Sequence, residues 1–305
     1  MNISNYYDPI LDRPLTSLDG CSWEDWVSGA SAQSRFSLHP EGFPVFVGAD
    51  QLHASNEYEG GDPYAVSEHR DSAFQQRRSR ETLSLLSSVL SPSGAGVRIL
   101  DLGCGEGHIT EAIRRQWVQA EVCGFDYSLS AIQTAQRQYP SIEFAVADAY
   151  SMPYGPATVD AAVINNLWEH VPDPLRLLSQ VHRILKPGGY VIVSTPSRYR
   201  LENLLRAISG GPLVFMSKHH VTEYSVGQVL EQLRYGGFGL IACQSTPISS
   251  TGWSWKWRLA KALLARWLRS VNSHHSLEST VFYLARKTGG FARPSSPPSA
   301  VSSAL

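Results

Sequence analysis

The sequence predicts an α/β protein: a doubly wound, mostly parallel seven-stranded sheet with helices on both faces. Three observations predict it. Short apolar runs alternate with helical patterns from Arg98 onward, which implies parallel strands joined by right-handed crossovers. Those runs are continuous and often β-branched, as strands buried on both faces read. One of them, "VRILDLG", turns through a glycine cluster directly into a helical pattern, "ITEAIRRQW".

The elements follow in order. Residues 1–65 are rich in aromatics, Gly and Pro with little periodicity, and read as an irregular leader or lid; only "EGFPVFVGA" has the look of a short strand. A helical pattern runs from Val66 to Leu90 and stops at the breaker "SPSGAG". After the first strand and its helix, "AEVCGFD" predicts the next strand and "SAIQTAQRQ" the next helix. "IEFAVAD" and "VDAAVINN" predict two more strands. The pattern "PLRLLSQVHRIL" is a helix closed by "KPGG", and "YVIVSTPS" is the fifth strand. "SVGQVLEQLRYGGF" is a helix with a glycine stop, "GLIACQST" a strand, and "STVFYLAR" the last. The domain is expected over 66–288, with a Trp-rich helical insert at 252–271. The tail 289–305, with "RPSSPPSAVSSAL", has too little apolar surface to order itself.

Composition narrows the partners. Lys and Arg number 26 against 27 Asp and Glu, so no global field draws in nucleic acid, and no nucleic-acid partner is expected. The four cysteines lie far apart without a CxxC pair, which argues against a zinc ribbon or a disulfide framework and fits a reducing cytoplasm. "MNISNYYDPILDRP" has no basic region followed by an apolar core, so it does not read as a signal peptide. Nothing in the sequence indicates an oligomeric state.

The glycine cluster carries the first functional signal. Gly103 and Gly105 permit a tight turn and close backbone approach, and Gly107 permits close packing of helix on strand. A helix N-terminus then faces a ligand. The dinucleotide fingerprint GxGxxG would require glycine where this chain has His108, which weakens a nicotinamide-dependent oxidoreductase reading. Asp126 ends the next strand, where a carboxylate can accept both hydroxyls of a ribose, each charge-assisted bond being worth roughly 1.5–3 kcal/mol. The competing reading makes Asp126 the N-cap of the following helix.

These residues resemble the class I S-adenosylmethionine-dependent methyltransferases, which share a Rossmann-like sheet. "ILDLGCGEGHIT" resembles that family's first motif and "GFDYSLSAIQTA" its second strand and helix. "FAVADAYSMPY", "VDAAVINNLWEHVPDP" and "LKPGGYVIVSTPS" resemble the third, fourth and fifth elements. The resemblance runs from about Arg98 to Arg286. It implies S-adenosyl-L-methionine as cofactor, with the methionine moiety on the backbone of Leu102, Gly103, Cys104 and Gly105 and its ammonium at Asp101. It further implies the ribose at Asp126 beside Tyr127, the adenine at Asp148 and Ala149, and Asn165 beneath the sulfur.

The resemblance implies methyl transfer to a small or medium acceptor, oxygen or carbon being favoured, because a sulfonium methyl is already activated and in-line alignment does most of the work. A base is needed only for an acceptor that holds its proton. Candidates are His170 in "WEHVPDP" and His219 or His220 in "SKHHVTEYS"; the alternative for His170 is a scaffold role. Metal binding by the pair His219 and His220 is disfavoured, since neighbours on a strand point apart, and no metal site is expected. Tyr64 in the leader is a candidate for cofactor contact. The leader is faintly similar to the zinc-ribbon segment some methyltransferases carry, but lacks its cysteine pairs. A non-catalytic scaffold of the same fold is the alternative to an enzyme.

"GWSWKWRLAKALLARWLRSV" places Trp257, Ala260, Leu263, Leu264, Trp267, Leu268 and Val271 on one helical face and Arg258, Lys261, Arg266 and Arg269 on the other. Such a helix suits peripheral contact with a membrane or an apolar substrate. Packing over the sheet edge, or as a roof on the pocket, is the competing reading.

Overall fold

The computed structural model describes residues 2–31, 33–54, 73–245 and 279–291, together with 255, 259, 262–264, 266 and 267. Its N-terminal part carries β1 (Tyr7–Asp8), β2 (Arg13–Pro14), β3 (Gly20–Cys21), α1 (Trp23–Val27), β4 (Phe36–Leu38), β5 (Pro44–Val45) and α2 (Ala49–Ala54). The central part runs α3 (Ala73–Ser87), β6 (Arg98–Leu102), α4 (His108–Gln116), β7 (Glu121–Asp126), α5 (Leu129–Gln138), β8 (Glu143–Val146) and β9 (Val159–Asn165). It ends with α6 (Pro174–Ile184), β10 (Leu185–Pro196), α7 (Leu201–Ile208), α8 (Val226–Tyr235), β11 (Phe238–Ser245) and β12 (Thr280–Lys287).

The large sheet has the order β11-β12-β10-β9-β6-β7-β8-β5-β4-β3. From β10 to β8 neighbouring strands are parallel, and β12 lies antiparallel between β10 and β11. The chain builds outward from β6 in both directions, so the crevice between β6 and β9 is a topological switch point, where open α/β sheets bind ligands.

Period-two alternation divides each central strand between two cores. Ile99, Ala161, Val163 and Ile192 face Leu85 and Leu86 of α3 and Ile109 and Ile113 of α4. Leu100, Leu102, Ala162, Ile164, Val191 and Val193 face Leu177 and Val181 of α6 and Val229 and Leu233 of α8. Both faces are covered, which is why the sequence shows continuous apolar runs there. β10 is longer than expected: it begins at Leu185, so "KPGG" lies within the strand, and its register on β9 shifts between Leu185 and Tyr190.

The leader corrects the expectation of an irregular segment. Among the described residues the sheet has ten strands, not seven, because β3, β4 and β5 extend it beyond β8. The join is narrow: Val45 pairs with Val146, and the Phe46 amide donates to the Val146 carbonyl at 2.8 Å. Side chains make up for it. Phe43, Val45 and Val47 are buried against Ile132 and Ala135 of α5 and Phe144 and Val146 of β8, and the Trp26 indole donates to the Val47 carbonyl at 3.2 Å. Tyr64 and the tail beyond Phe291 lie outside the described residues, as do residues 66–72 of the expected first helix.

If the leader is part of the domain core, Phe43→Ala should lower the unfolding free energy by about 3 kcal/mol or more, as buried Phe-to-Ala changes do. Urea unfolding followed by circular dichroism reads this. A loss below about 1 kcal/mol would mean the leader docks loosely.

Candidate active site at the carboxyl ends of the central strands

A cavity of about 320 Å³ opens at the switch point. Its floor is the glycine loop. The chain leaves β6 and turns with positive φ at Gly103 (67°), Gly105 (55°) and Gly107 (79°) into α4. A Cβ on Gly107 would stand 2.8 Å from the Phe144 ring and 3.2 Å from the Ala135 Cβ, so the close approach of helix to sheet excludes a side chain. The amides of Gly103 and Cys104 both donate to the Phe125 carbonyl, at 2.9 and 3.0 Å, which fastens the loop to β7.

Asp126 completes that fastening. Its Oδ2 accepts from the Gly105 amide and its Oδ1 from the Ser128 amide, both at 2.9 Å. The helix-cap reading of Asp126 is corrected: Ser128 caps α5, its hydroxyl accepting from the Ala131 amide. An ionised carboxylate has about four acceptor positions and can take ligand hydroxyls alongside backbone amides.

Asp101, the penultimate residue of β6, is almost wholly buried and accepts from the Thr110 hydroxyl at 2.7 Å. Burial pushes its pKa up to about 7, against the opposing pull of the Thr110 bond and Arg78, with Asp126 adding to the rise. Asn165, at the end of β9, accepts from the Ser194 hydroxyl at 2.9 Å and exchanges bonds with the Thr82 hydroxyl.

Asp101, Gly103, Cys104, Gly105, Asp126, Tyr127, Ala149, Asn165, His170, His219 and His220 all line the cavity. Leu102, expected to contribute its backbone, has its side chain buried in the core; Gly107 packs against Phe144 and Ala135 as its place in the loop predicts; Asp148 is outside the lining and accepts from the Tyr150 amide at 2.8 Å, closing a turn.

The far end of the cavity is built by the turn after β9 and the segment before α8. The His170 Nδ1 sits 3.2 Å from the His219 carbonyl, and its ring meets that of His220 edge-on, with centroids 5.0 Å apart. His220 Nδ1 lies 2.9 Å from Glu223 Oε1. Glu223, fully buried, also takes Arg200 and the Met216 amide. Burial alone would raise its carboxyl, but His220, the Met216 amide and Arg200 together hold it below the usual range. His170 is pushed down to about 4, first by burial and then by His220, so its ring is neutral near pH 7.

Sequence reasoning missed several of these residues. Gln75, Arg78 and Thr82 share one face of α3 at i, i+3 and i+7, and that polar stripe was a usable signal. Arg78 donates to the Asn165 carbonyl at 3.1 Å and lines the cavity with Gln75. Arg200 and Glu223 gave no signal, since a buried ion pair formed across 23 residues reads in sequence as two loop charges.

A family model described as a methyltransferase domain matches residues 72–242, more than half of the chain. The chain belongs to the S-adenosylmethionine-dependent methyltransferases. A malonyl-[acyl-carrier protein] O-methyltransferase from Hahella chejuensis is 31% identical over 144 residues, covering 45% of this chain and 52% of that protein. A trans-aconitate 2-methyltransferase from Methylobacterium radiotolerans is 29% identical over 202 residues, 65% of this chain and 76% of that protein. The match thus spans about half the length of the first of these methyltransferases.

Among solved structures, a [4+2]-cyclase, SpnF, aligns at TM-score 0.52 and 22% identity, over 79% of this chain and 94% of that one. The 1,6-didemethyltoxoflavin-N1-methyltransferase of Burkholderia thailandensis aligns at TM-score 0.50 and 20% identity, over 78% and 87%. At such identities the likeness is one of fold. Methyltransferase membership removes the nicotinamide alternative.

Because the Asp101 pKa is raised in the fold from 3.8 to about 7, its protonated form contributes stability that is full below about 4 and lost as pH rises through about 7. In the ligand-free protein, Asp101→Asn should therefore flatten the fall in melting temperature between pH 5 and roughly pH 8.5. Parallel curves for the two proteins would contradict the assignment.

Proposed function

We propose that the protein transfers the methyl group of S-adenosylmethionine by in-line displacement to an oxygen or carbon of a small or medium-sized acceptor. The observation that carries this is the join of Asp126 to the glycine loop at the switch point, with an open cavity running from it to His170, His219 and His220. In this reading Asp126 accepts the ribose hydroxyls, Tyr127 and Ala149 flank the adenosine, and the loop backbone with Asp101 receives the amino-acid end. A bound ammonium holds Asp101 ionised, reversing the effect of its burial.

Alignment of acceptor and methyl supplies most of the acceleration. The relatives named for malonyl-[acyl-carrier protein] and trans-aconitate carry carboxylic acids in their substrates, which supports an oxygen acceptor. Where the acceptor is a hydroxyl, neutral His170 or the Glu223-oriented His220 stands at the right end of the cavity to take its proton.

The Trp-rich segment supports a second feature, peripheral membrane contact at the cytoplasmic face. Trp255, Leu259, Leu263 and Trp267 follow one another at helical spacing and are 70, 52, 60 and 58% exposed. Most of the remaining residues of 252–271 lie outside the described set. Among the described residues no helix is long and apolar enough to cross a membrane.

Two measurements test these readings. Asp126→Ala should weaken S-adenosylhomocysteine binding at least tenfold by calorimetry with the circular dichroism spectrum unchanged; equal affinity would mean the ribose is held elsewhere. Deletion of 252–271 should abolish co-sedimentation with vesicles containing anionic lipid, and undiminished binding, or none by the full chain, would remove the membrane reading.

A further inference from the structure

We propose that Glu169, His170 and His220 form a divalent transition-metal site at the acceptor end of the cavity. One donor atom from each, a carboxylate oxygen and two imidazole nitrogens, lies within 4.8 Å of the others. The expectation of no metal considered His219 with His220. The fold instead brings His220 to His170, fifty residues earlier in the chain.

Each donor is prepared in the way metal ligands are. The His220 Nδ1 is engaged by the Glu223 carboxylate and the His170 Nδ1 by the His219 carbonyl, which leaves both Nε2 atoms for a metal. A carboxylate or a carbonyl behind the other ring nitrogen is the usual support of a ligating histidine.

The Glu169 carboxylate is fully buried; its Oε1 accepts from the Asn166 side-chain amide at 2.9 Å, while Oε2 has no hydrogen-bond partner, and the buried Thr195 hydroxyl has none either. A buried carboxylate oxygen beside two imidazoles has a use if a cation completes it.

The backbone fixes this register. The amides of Val221 and Thr222 both donate to the Glu169 carbonyl, at 2.9 and 3.2 Å, which holds the His220 segment against the Glu169–His170 turn. Donors about 2.1 Å from a tetrahedral ion stand about 3.4 Å apart, so closing on an ion draws donors that lie within 4.8 Å together by at most about 1.4 Å. Two imidazoles and a carboxylate suit zinc, manganese, iron(II) or cobalt rather than magnesium or calcium.

His170 and His220 face the cavity, so the remaining coordination positions open towards the acceptor. An acceptor oxygen held there is positioned for attack. If the acceptor is a hydroxyl, a bound metal would lower its pKa so that its proton leaves to solvent in place of the imidazole route; an oxygen lone pair then forms the bond to the methyl carbon, and the C–S electrons stay on sulfur as the neutral thioether. The chemistry rests on the methyltransferase reading. Metal binding does not.

The test uses the full chain after chelator treatment and dialysis, titrated with cobalt(II) chloride and followed by visible absorption and calorimetry. One cobalt per chain is expected, displaced by zinc, with affinity reduced at least tenfold in both His170→Gln and His220→Gln. S-adenosylhomocysteine binding, measured on the same samples, shows that each variant is folded. No stoichiometric uptake by the unsubstituted chain overturns the site, as does cobalt affinity in either variant equal to that of the unsubstituted chain. Cobalt uptake without S-adenosylhomocysteine binding would leave the metal site standing and remove the cofactor reading.

Discussion

The bond from the Gly105 amide to the Asp126 carboxylate is the interaction on which the site depends. It ties the loop that follows β6 to the end of β7. A glycine loop with three positive φ angles has little intrinsic preference for one shape, because glycine gives up so much freedom on folding. Asp126 and the Phe125 carbonyl supply that preference from β7, and the Phe144 ring limits how far the loop and α4 can sink towards the sheet. The loop is therefore shaped before any ligand arrives. Asp126 serves in both states, holding backbone amides in the free protein and retaining acceptor capacity for a ribose.

The opposite end of the cavity follows a different logic. There a buried ion pair, Arg200 with Glu223, orients an imidazole rather than a backbone. Such a pair is weak evidence of stability, since desolvating two charges offsets most of their attraction. Its effect is positional: Glu223 joins α8's approach segment to the turn before α7 and aims His220 at His170. One end of the cavity is thus built of backbone and carboxylates, and the other of imidazoles.

Legibility in the sequence followed burial geometry. The central strands could be read because both faces are covered, which leaves long apolar runs such as "DAAVIN". The glycine loop and Asp126 could be read because their positions are local to two strand ends. The leader strands could not, because two or three residues cannot display a period of two, and Phe43, Val45 and Val47 find their partners about a hundred residues away. The bulge that carries β10 back to Leu185 was hidden by "KPGG", whose composition reads as a stop. The imidazole pair was hidden by distance: His170 and His220 meet only once the segment before α8 folds over the turn after β9.

The central claim is that the loop, Asp126 and the cavity between them are a seat for S-adenosylmethionine. A crystal structure of the full chain with S-adenosylhomocysteine tests it most directly. The account places both ribose hydroxyls within hydrogen-bond distance of the Asp126 carboxylate, the adenine beside Ala149, and the sulfur pointing along the cavity towards His170 and His220. Ligand density elsewhere, or a ribose out of reach of Asp126, would contradict it.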